Sequence, residues 1–481
     1  MSLLISTNSV LRSWATVPRR LHEMKGYHSV RVARAPGAAF AISSVRLRKH
    51  VSLATNKLSE VVQLRAFLPC CFAAYVVVRL LVIVALPIVP SSDSAWYVAM
   101  AKQLAAGNGY WQDGHPTAYW PVGYPAFLAI IFSATGPNLW VARLMNLALS
   151  CGIFVLTYCT AMLVLKNAVA ARLAVLLLTI YPNQIGHTGV LGAEMLGTLL
   201  LLLGTVAAIG PMTPLRSTLS GAVFGLGTLV RAQFLLIPAI ILWVSWRASG
   251  GSKAALLRTI AAGALMGATL LCVVLPWSAR NYLVFHHVVL ISTNGGMTFL
   301  TGNNPQARGD YTPDSPLVTS VRAQGGGEVA IDQRAYGAGM DWIREHPLRF
   351  AILVPMKIWR LWAPDGESEW GFQAGFASYD DHVLAFRMIR VANQAYYFLM
   401  LVAAAVGMWR LLRADNAPSV WAQIGTLLIL YTTMISVVFS GQSRFHFPVM
   451  PWVFICAAWF LTGLFQRESQ RPERAQLVQP A

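Results

Sequence analysis

Charge is scarce in this chain, and acid is scarcer than base. Only 12% of the 481 residues are charged, with 19 Asp and Glu against 37 Lys and Arg, giving a net charge of +18. With 56% hydrophobic residues and a mean hydropathy of +0.54, too little polar surface exists to cover a soluble globule of this length. Most of the surface must face lipid. Cysteine is sparse as well: Cys70, Cys71, Cys151, Cys159, Cys272 and Cys456 all fall in apolar stretches, which excludes a disulfide framework and marks them as small packing residues. The chain has no glycine-rich phosphate loop, no His/Cys zinc spacing and no nucleotide-binding motif. Its basic residues are scattered, and aromatics are sparse among those of the first 65 residues, which argues against nucleic-acid binding.

What is present is a series of apolar windows of about 20 residues, the length needed to cross a bilayer. They run at about 67 to 89, 138 to 165, 171 to 186, 191 to 210, 217 to 230, 232 to 246, 256 to 277, 384 to 409, 418 to 440 and 448 to 465, which predicts ten spans. Residues 1 to 65 hold eleven Lys or Arg against Glu23 and Glu60, so the excess of positive charge places this arm in the cytoplasm. The arm reads as solvated chain, as a transit peptide, or as a segment touching anionic lipid. The resulting orientation makes 467 to 481 a cytoplasmic tail around a membrane domain of 66 to 466. It puts 13 of the 19 acidic residues outside, in segments of about 90 to 137 and 278 to 383. Phe350 to Trp362 is too short to cross and carries Lys357 and Arg360, which predicts an interfacial or re-entrant helix.

Asp93 follows the first span directly, at the membrane surface, where a charge is tolerated and an apolar substrate tail is within reach. Asp93, Trp96, Tyr97, Met100 and Leu104 form one stripe of a short helix that ends at Gly107 and could lie flat on the membrane. A turn-rich aromatic stretch, Asp113 to Pro125, leads to an apolar helix from Ala126 to Ala134. Glu194 is the only acid between Asp113 and Asp310 and sits at the outer end of a span, so something must pair with it. Arg143 or Arg231 in a structural ion pair is one solution, and a role in binding acceptor, sugar or a cation is the other. Asn294 to Pro305 is rich in turn formers and could roof a pocket, and Gly325 to Glu328 reads as a mobile lid or a flexible loop.

Taken together, Asp93-x3-Tyr97-x3-Ala101-x5-Gly107-x-Gly-Tyr110 and Pro121-x-Gly-Tyr-Pro125 resemble the first external loop of the polytopic C-type glycosyltransferases. The resemblance is to bacterial members similar to protein mannosyltransferases, aminoarabinose transferases and lipopolysaccharide galacturonosyltransferases. Further matches follow in order over about residues 65 to 465: Glu194 in Leu191-Gly-Ala-Glu-Met-Leu, Leu229-Val-Arg231, Pro276-Trp-Ser-Ala-Arg-Asn-Tyr282, Ser292-Thr-Asn-Gly-Gly296, Gly302-Asn-Asn-Pro305 and Ser443-Arg-Phe-His-Phe-Pro448. Ser94 stands where many members have a second acid, and Ala232 where Pro commonly follows the arginine.

The resemblance implies an all-helical integral membrane protein that takes a sugar from a polyprenyl-phosphate donor. Delivery would be to an envelope acceptor, such as lipopolysaccharide, another glycan or protein, by an inverting displacement on the external face of the inner membrane. Such a reaction needs a carboxylate base, cations for the leaving phosphate and a lateral apolar groove. Asp93 is the candidate base, with Glu194 the second catalytic candidate. Arg231, Arg280, Lys357 and Arg444 are candidates for the phosphate. Tyr97, His115, Tyr124, Asn281, Asn303 and His446 are candidate substrate contacts. No cofactor and no divalent metal is expected. A transporter or flippase of lipid-linked sugars is the alternative, and it should carry paired repeats with broken helices near the midplane.

Overall fold

The computed structural model describes residues 57–413 and 418–469, with side chains to 464. Most of the predicted basic arm and the end of the tail lie outside the described residues. Each of the ten apolar windows is helical, but among the described residues six helices rather than ten are long and apolar enough to cross a membrane. The chain is a multi-pass membrane protein.

The helices are α1 (Phe67–Ala85), α2 (Ser92–Ala105), α3 (Gly123–Thr135), α4 (Leu139–Leu165), α5 (Ala168–Thr179), α6 (Pro182–His187), α7 (Ala193–Ala208), α8 (Pro214–Val230), α9 (Ile237–Ala248) and α10 (Lys253–Phe285). After these come α11 (Gly295–Gly302), α12 (Pro316–Ala323), α13 (Gly327–Glu345), α14 (Pro347–Trp362), α15 (Ser368–Gly375), α16 (Val383–Leu412), α17 (Ile424–Val438) and α18 (Met450–Ser469). The one sheet among the described residues is a hairpin of β1 (Trp111–Gln112) and β2 (His115–Pro116), where the sequence suggested only turns. Asp113 and Gly114 connect it with φ of 51° and 80°, the left-handed pair that an Asp-Gly loop accommodates.

Helix faces follow the four-residue rhythm of the sequence. On α1, Cys71, Tyr75, Arg79 and Ile83 point inward while Val77, Leu81 and Val84 point outward. Arg79 is wholly buried, a charge inside a span that the sequence reading passed over. It caps the end of α5 by donating to the carbonyls of Leu178 and Thr179, and it also donates to Gln184 Oε1 at 2.8 Å. Small residues bring other helices close. A side chain at Gly221 of α8 would overlap the Met266 carbonyl of α10, and one at Gly407 of α16 would overlap that of Cys456 in α18. Of the six cysteines, Cys71 and Cys456 are buried but Cys70 and Cys272 face outward, so not all are packing residues.

Two expectations about the segments between spans need correction. The stripe on α2 does not lie free on a membrane surface: Tyr97, Val98, Met100 and Ala101 are buried, and Met100 packs with Tyr110 and Val122. Residues 295–302 form α11 rather than turns, because Gly296 and Gly302 permit contact with the backbone of Asp332 and Phe439. Glu328 holds the segment predicted as a lid, accepting from Thr117 Oγ1 at 2.8 Å and the Ala118 amide at 2.6 Å. The expected interfacial helix is α14, sixteen residues long, with Leu353, Lys357 and Leu361 inward and Leu348, Ile352 and Trp359 outward.

Candidate active site

Four element ends converge at one end of the bundle. Asp93 lies in the first turn of α2 and Glu194 in the first turn of α7, positions where a carboxylate faces free backbone N–H groups. Arg231 is the residue that ends α8, and Arg444 sits on a single 3₁₀ turn, residues 443–445, ahead of α18. Arg444 Nη1 is 2.6 Å from Asp93 Oδ2, and Arg231 Nη2 is 2.7 Å from Glu194 Oε1. Of the two partners that the sequence left open for Glu194, Arg231 makes the ion pair. Arg143 donates instead to the Ile88 carbonyl.

Both pairs surround Tyr97, one helical turn beyond Asp93. Its hydroxyl is pushed above the ordinary tyrosine range by burial; Arg444 and Arg231 oppose the shift while Glu194 and Asp93 add to it. Tyr124 and Trp120 pack edge-on against the Tyr97 ring at 5.2 and 6.4 Å, so the charges border an aromatic wall. Several buried polar atoms here have no hydrogen-bond partner: Arg231 Nε, Arg444 Nε and His187 Nε2. These atoms leave the cluster with hydrogen-bonding capacity that its ion pairs do not use.

The two pairs differ in what breaking them would cost. Asp93 and Arg444 keep 32% and 28% of their side-chain surface exposed, whereas Glu194 and Arg231 keep 11% and 9%. A solvent-accessible pair contributes about 0–1 kcal/mol, while removing one partner of a buried pair costs about 3–5 kcal/mol. Asp93–Arg444 is the accessible pair; Glu194–Arg231 is a fixture.

Behind the site, residues 365–369 hold the turn that carries Arg444. Glu367 accepts from Ser443 Oγ, next to the arginine. His446, two residues on, is wholly buried between the rings of Trp362 and Tyr397, with Nδ1 2.6 Å from the Leu361 carbonyl and Nε2 3.1 Å from Asp365 Oδ1. Asp365 also accepts from Tyr181 Oη at 2.8 Å and from Asn183 and Asn393 side-chain amides at 2.6 and 2.9 Å. Sequence reasoning missed Asp365, Glu367 and His187. The closely spaced acids Asp365, Glu367 and Glu369, directly after the apolar helix α14, were the available signal.

Asp93, Tyr97, Tyr124, Glu194, Arg231 and Arg444 thus share one site. The other candidates stand apart. Arg280 donates to the carbonyls of Tyr110 and Thr117, each at 2.9 Å, and Asn281 to that of Val289. Lys357 and Asn303 bond to each other at 2.7 Å, and desolvation pushes the buried lysine down to about 7. His115 is exposed on the hairpin. Among the described residues no three His, Cys, Asp or Glu side chains converge as a metal cage, and the two acids of the site each face an arginine.

No protein-family model and no curated protein matches the chain. Solved structures do match its fold. The Archaeoglobus fulgidus oligosaccharyltransferase in its apo form aligns with a TM-score of 0.51 at 13% identity, covering 86% of this chain and 52% of that one. The same enzyme tethered to an acceptor peptide containing the NVT sequon aligns at 0.51 and 14%, covering 84% and 50%. ArnT from Cupriavidus metallidurans bound to undecaprenyl phosphate aligns at 0.39 and 16%, covering 85% and 79%. The chain spans about half the length of the oligosaccharyltransferase. Over most of its length the chain shares the fold of that oligosaccharyltransferase.

Proposed function

We propose that this chain is a membrane glycosyltransferase that moves one sugar from a polyprenyl-phosphate donor to an envelope acceptor, lipopolysaccharide, another glycan or protein. The observation that carries the reading is the pairing of Asp93 with Arg444 beside Glu194–Arg231, around one tyrosine at a helix-end surface. A carboxylate and guanidinium groups side by side suit a reaction in which a hydroxyl loses a proton while a phosphate gains charge.

In the proposed step the acceptor oxygen attacks the anomeric carbon from the face opposite the phosphate. Its proton passes to Asp93, and the bond from carbon to phosphate oxygen breaks with its electron pair remaining on the phosphate. Arg444 meets that charge, and a planar guanidinium can bond two phosphate oxygens at once. Arg231, fixed by Glu194, adds positive potential, and Tyr97 with Tyr124 forms the wall against which the sugar rests. Arg280 and Lys357 tie loops instead, which leaves Arg444 as the accessible cation. The transporter alternative loses ground because these charges sit at helix ends on one side of the bundle, not at its middle. The charge asymmetry of the sequence puts this side outside the inner membrane, with both termini in the cytoplasm.

Mass spectrometry of envelope glycolipids from cells with and without the gene tests the reading and names sugar and acceptor together. Loss of one sugar from one acceptor, with accumulation of its lipid donor, is the expected outcome. Unchanged glycolipids and glycoproteins in the deletion would refute it.

A further inference from the structure

We infer that Arg444 is an anion site which Asp93 occupies while the donor is absent, and that the donor phosphate takes the arginine from the aspartate as it binds. The inference rests on the reading above and adds an order of events: the base is fully released only when donor is in place.

Several features of the pair point to exchange. Arg444 gives Asp93 a single contact, Nη1 to Oδ2 at 2.6 Å, while its Nε is buried without a partner. A guanidinium offers five donors in a planar fork, so one carboxylate oxygen leaves it under-used, and a phosphate can fill both edges. The pair is about one-third exposed, so a ligand reaches it without disturbing the sealed Glu194–Arg231 contact.

The two partners are also anchored unequally. Ser443 is held by Glu367 and His446 by Leu361 and Asp365, so the turn carrying Arg444 is fastened on both sides. Asp93, in the first turn of α2, has Arg444 as the one hydrogen-bond partner of its carboxylate among the described residues. The aspartate is therefore the partner able to move.

While Oδ2 is bonded to Arg444 the carboxylate is held toward the arginine with only Oδ1 left open; once the phosphate has claimed Arg444, both oxygens can turn to the acceptor hydroxyl. Activation of the acceptor is thus favoured beside a bound donor, which makes the binding order donor first.

Purified full-length protein in nanodiscs tests this with undecaprenyl phosphate as probe and undecaprenol, which lacks the phosphate, as control. The wild type should prefer the phosphate. Asp93→Asn should bind it about 2- to 5-fold more tightly, since a competing pair of modest strength is gone. Arg444→Gln should abolish the preference, and the double variant should match Arg444→Gln. If Asp93→Asn leaves affinity unchanged or weaker while the wild type still prefers phosphate, the exchange is wrong and the donor reading survives. If the double variant still binds more tightly than Arg444→Gln, Asp93 acts as a general charge and the exchange is again refuted. If the wild type does not distinguish phosphate from alcohol, the donor reading falls as well. Should Arg444→Gln not fold, the Asp93→Asn comparison alone decides the exchange.

Discussion

The carboxylate of Asp93 and the guanidinium of Arg444, 351 residues apart in sequence, meet at 2.6 Å across the mouth of the site. If Asp93 is the general base, Asp93→Asn keeps the shape and removes the proton acceptor, so single-turnover transfer with saturating donor should fall about 10²- to 10⁴-fold. Asp93→Glu should recover little, since an added methylene misplaces the oxygen relative to the acceptor. Folding should be nearly unaffected, because an accessible pair contributes only about 0–1 kcal/mol. Near-normal turnover in Asp93→Asn would pass the role of base to Glu194.

Glu194 and Arg231 should behave in the opposite sense. Glu194→Ala leaves a buried guanidinium without its counter-charge, at a cost of about 3–5 kcal/mol, so thermal unfolding should shift markedly. Glu194→Gln retains an oxygen for Arg231 and should shift it less. Replacing both by apolar residues of similar volume should restore much of the stability without restoring activity. If Glu194→Ala melts like the wild type, the pair is not the fixture its burial implies.

The contrast between these pairs also explains what the sequence could and could not disclose. The apolar helices, α14 among them, and the acid after the first span follow from local pattern, but that pattern counts ten spans where six helices among the described residues are long and apolar enough to cross. That Glu194 needed a cation was legible from its isolation, but the choice of Arg231 over Arg143 depends on how α7 and α8 pack. Glycines near 295 and 302 suggested turns because their sequence cannot reveal the backbone of Asp332 and Phe439 pressed against them. Lys357 looked like a phosphate ligand at an interface, yet α14 rolls it inward onto Asn303 and the Val437 carbonyl. Long-range contact, not residue type, separates the accessible Arg444 from the cations that tie loops.

Sidedness is testable with single cysteines in a background lacking the six native ones. Ser320 is exposed on α12 and Ser249 in the connection between α9 and α10. The positive-inside reading predicts that a cysteine at 320 reacts with an impermeant maleimide from outside and one at 249 only from the cytoplasm. Labelling of both from the same side would mean an odd error in the number of crossings between them.

Asp332 supplies a pH dependence that can be isolated. Its Oδ1 accepts from the Gly296 amide at 2.6 Å, holding α13 on α11. Burial pushes its carboxyl up to about 6 from an ordinary 3.8; the Gly296 hydrogen bond partly opposes this and the Glu328 charge adds to it. Between about pH 4 and 6 the docked state therefore holds a proton that the undocked state has released, so docking weakens as pH rises through that window and levels off above it. The change amounts to roughly 1–3 kcal/mol, because each tenfold difference in proton affinity between the two states is worth about 1.4 kcal/mol and partial exposure to solvent reduces the total. Asp332→Asn cannot ionise and can still accept from Gly296, so it should remove this dependence. Hydrogen exchange across residues 327–345, taken as the ratio of wild type to Asp332→Asn at each pH, cancels both intrinsic exchange and the titration of other carboxylates. Wild-type protection should approach that of the variant near pH 4 and drop below it by pH 7; a ratio that does not change with pH would mean that Asp332 is ionised throughout and that its burial carries no such penalty.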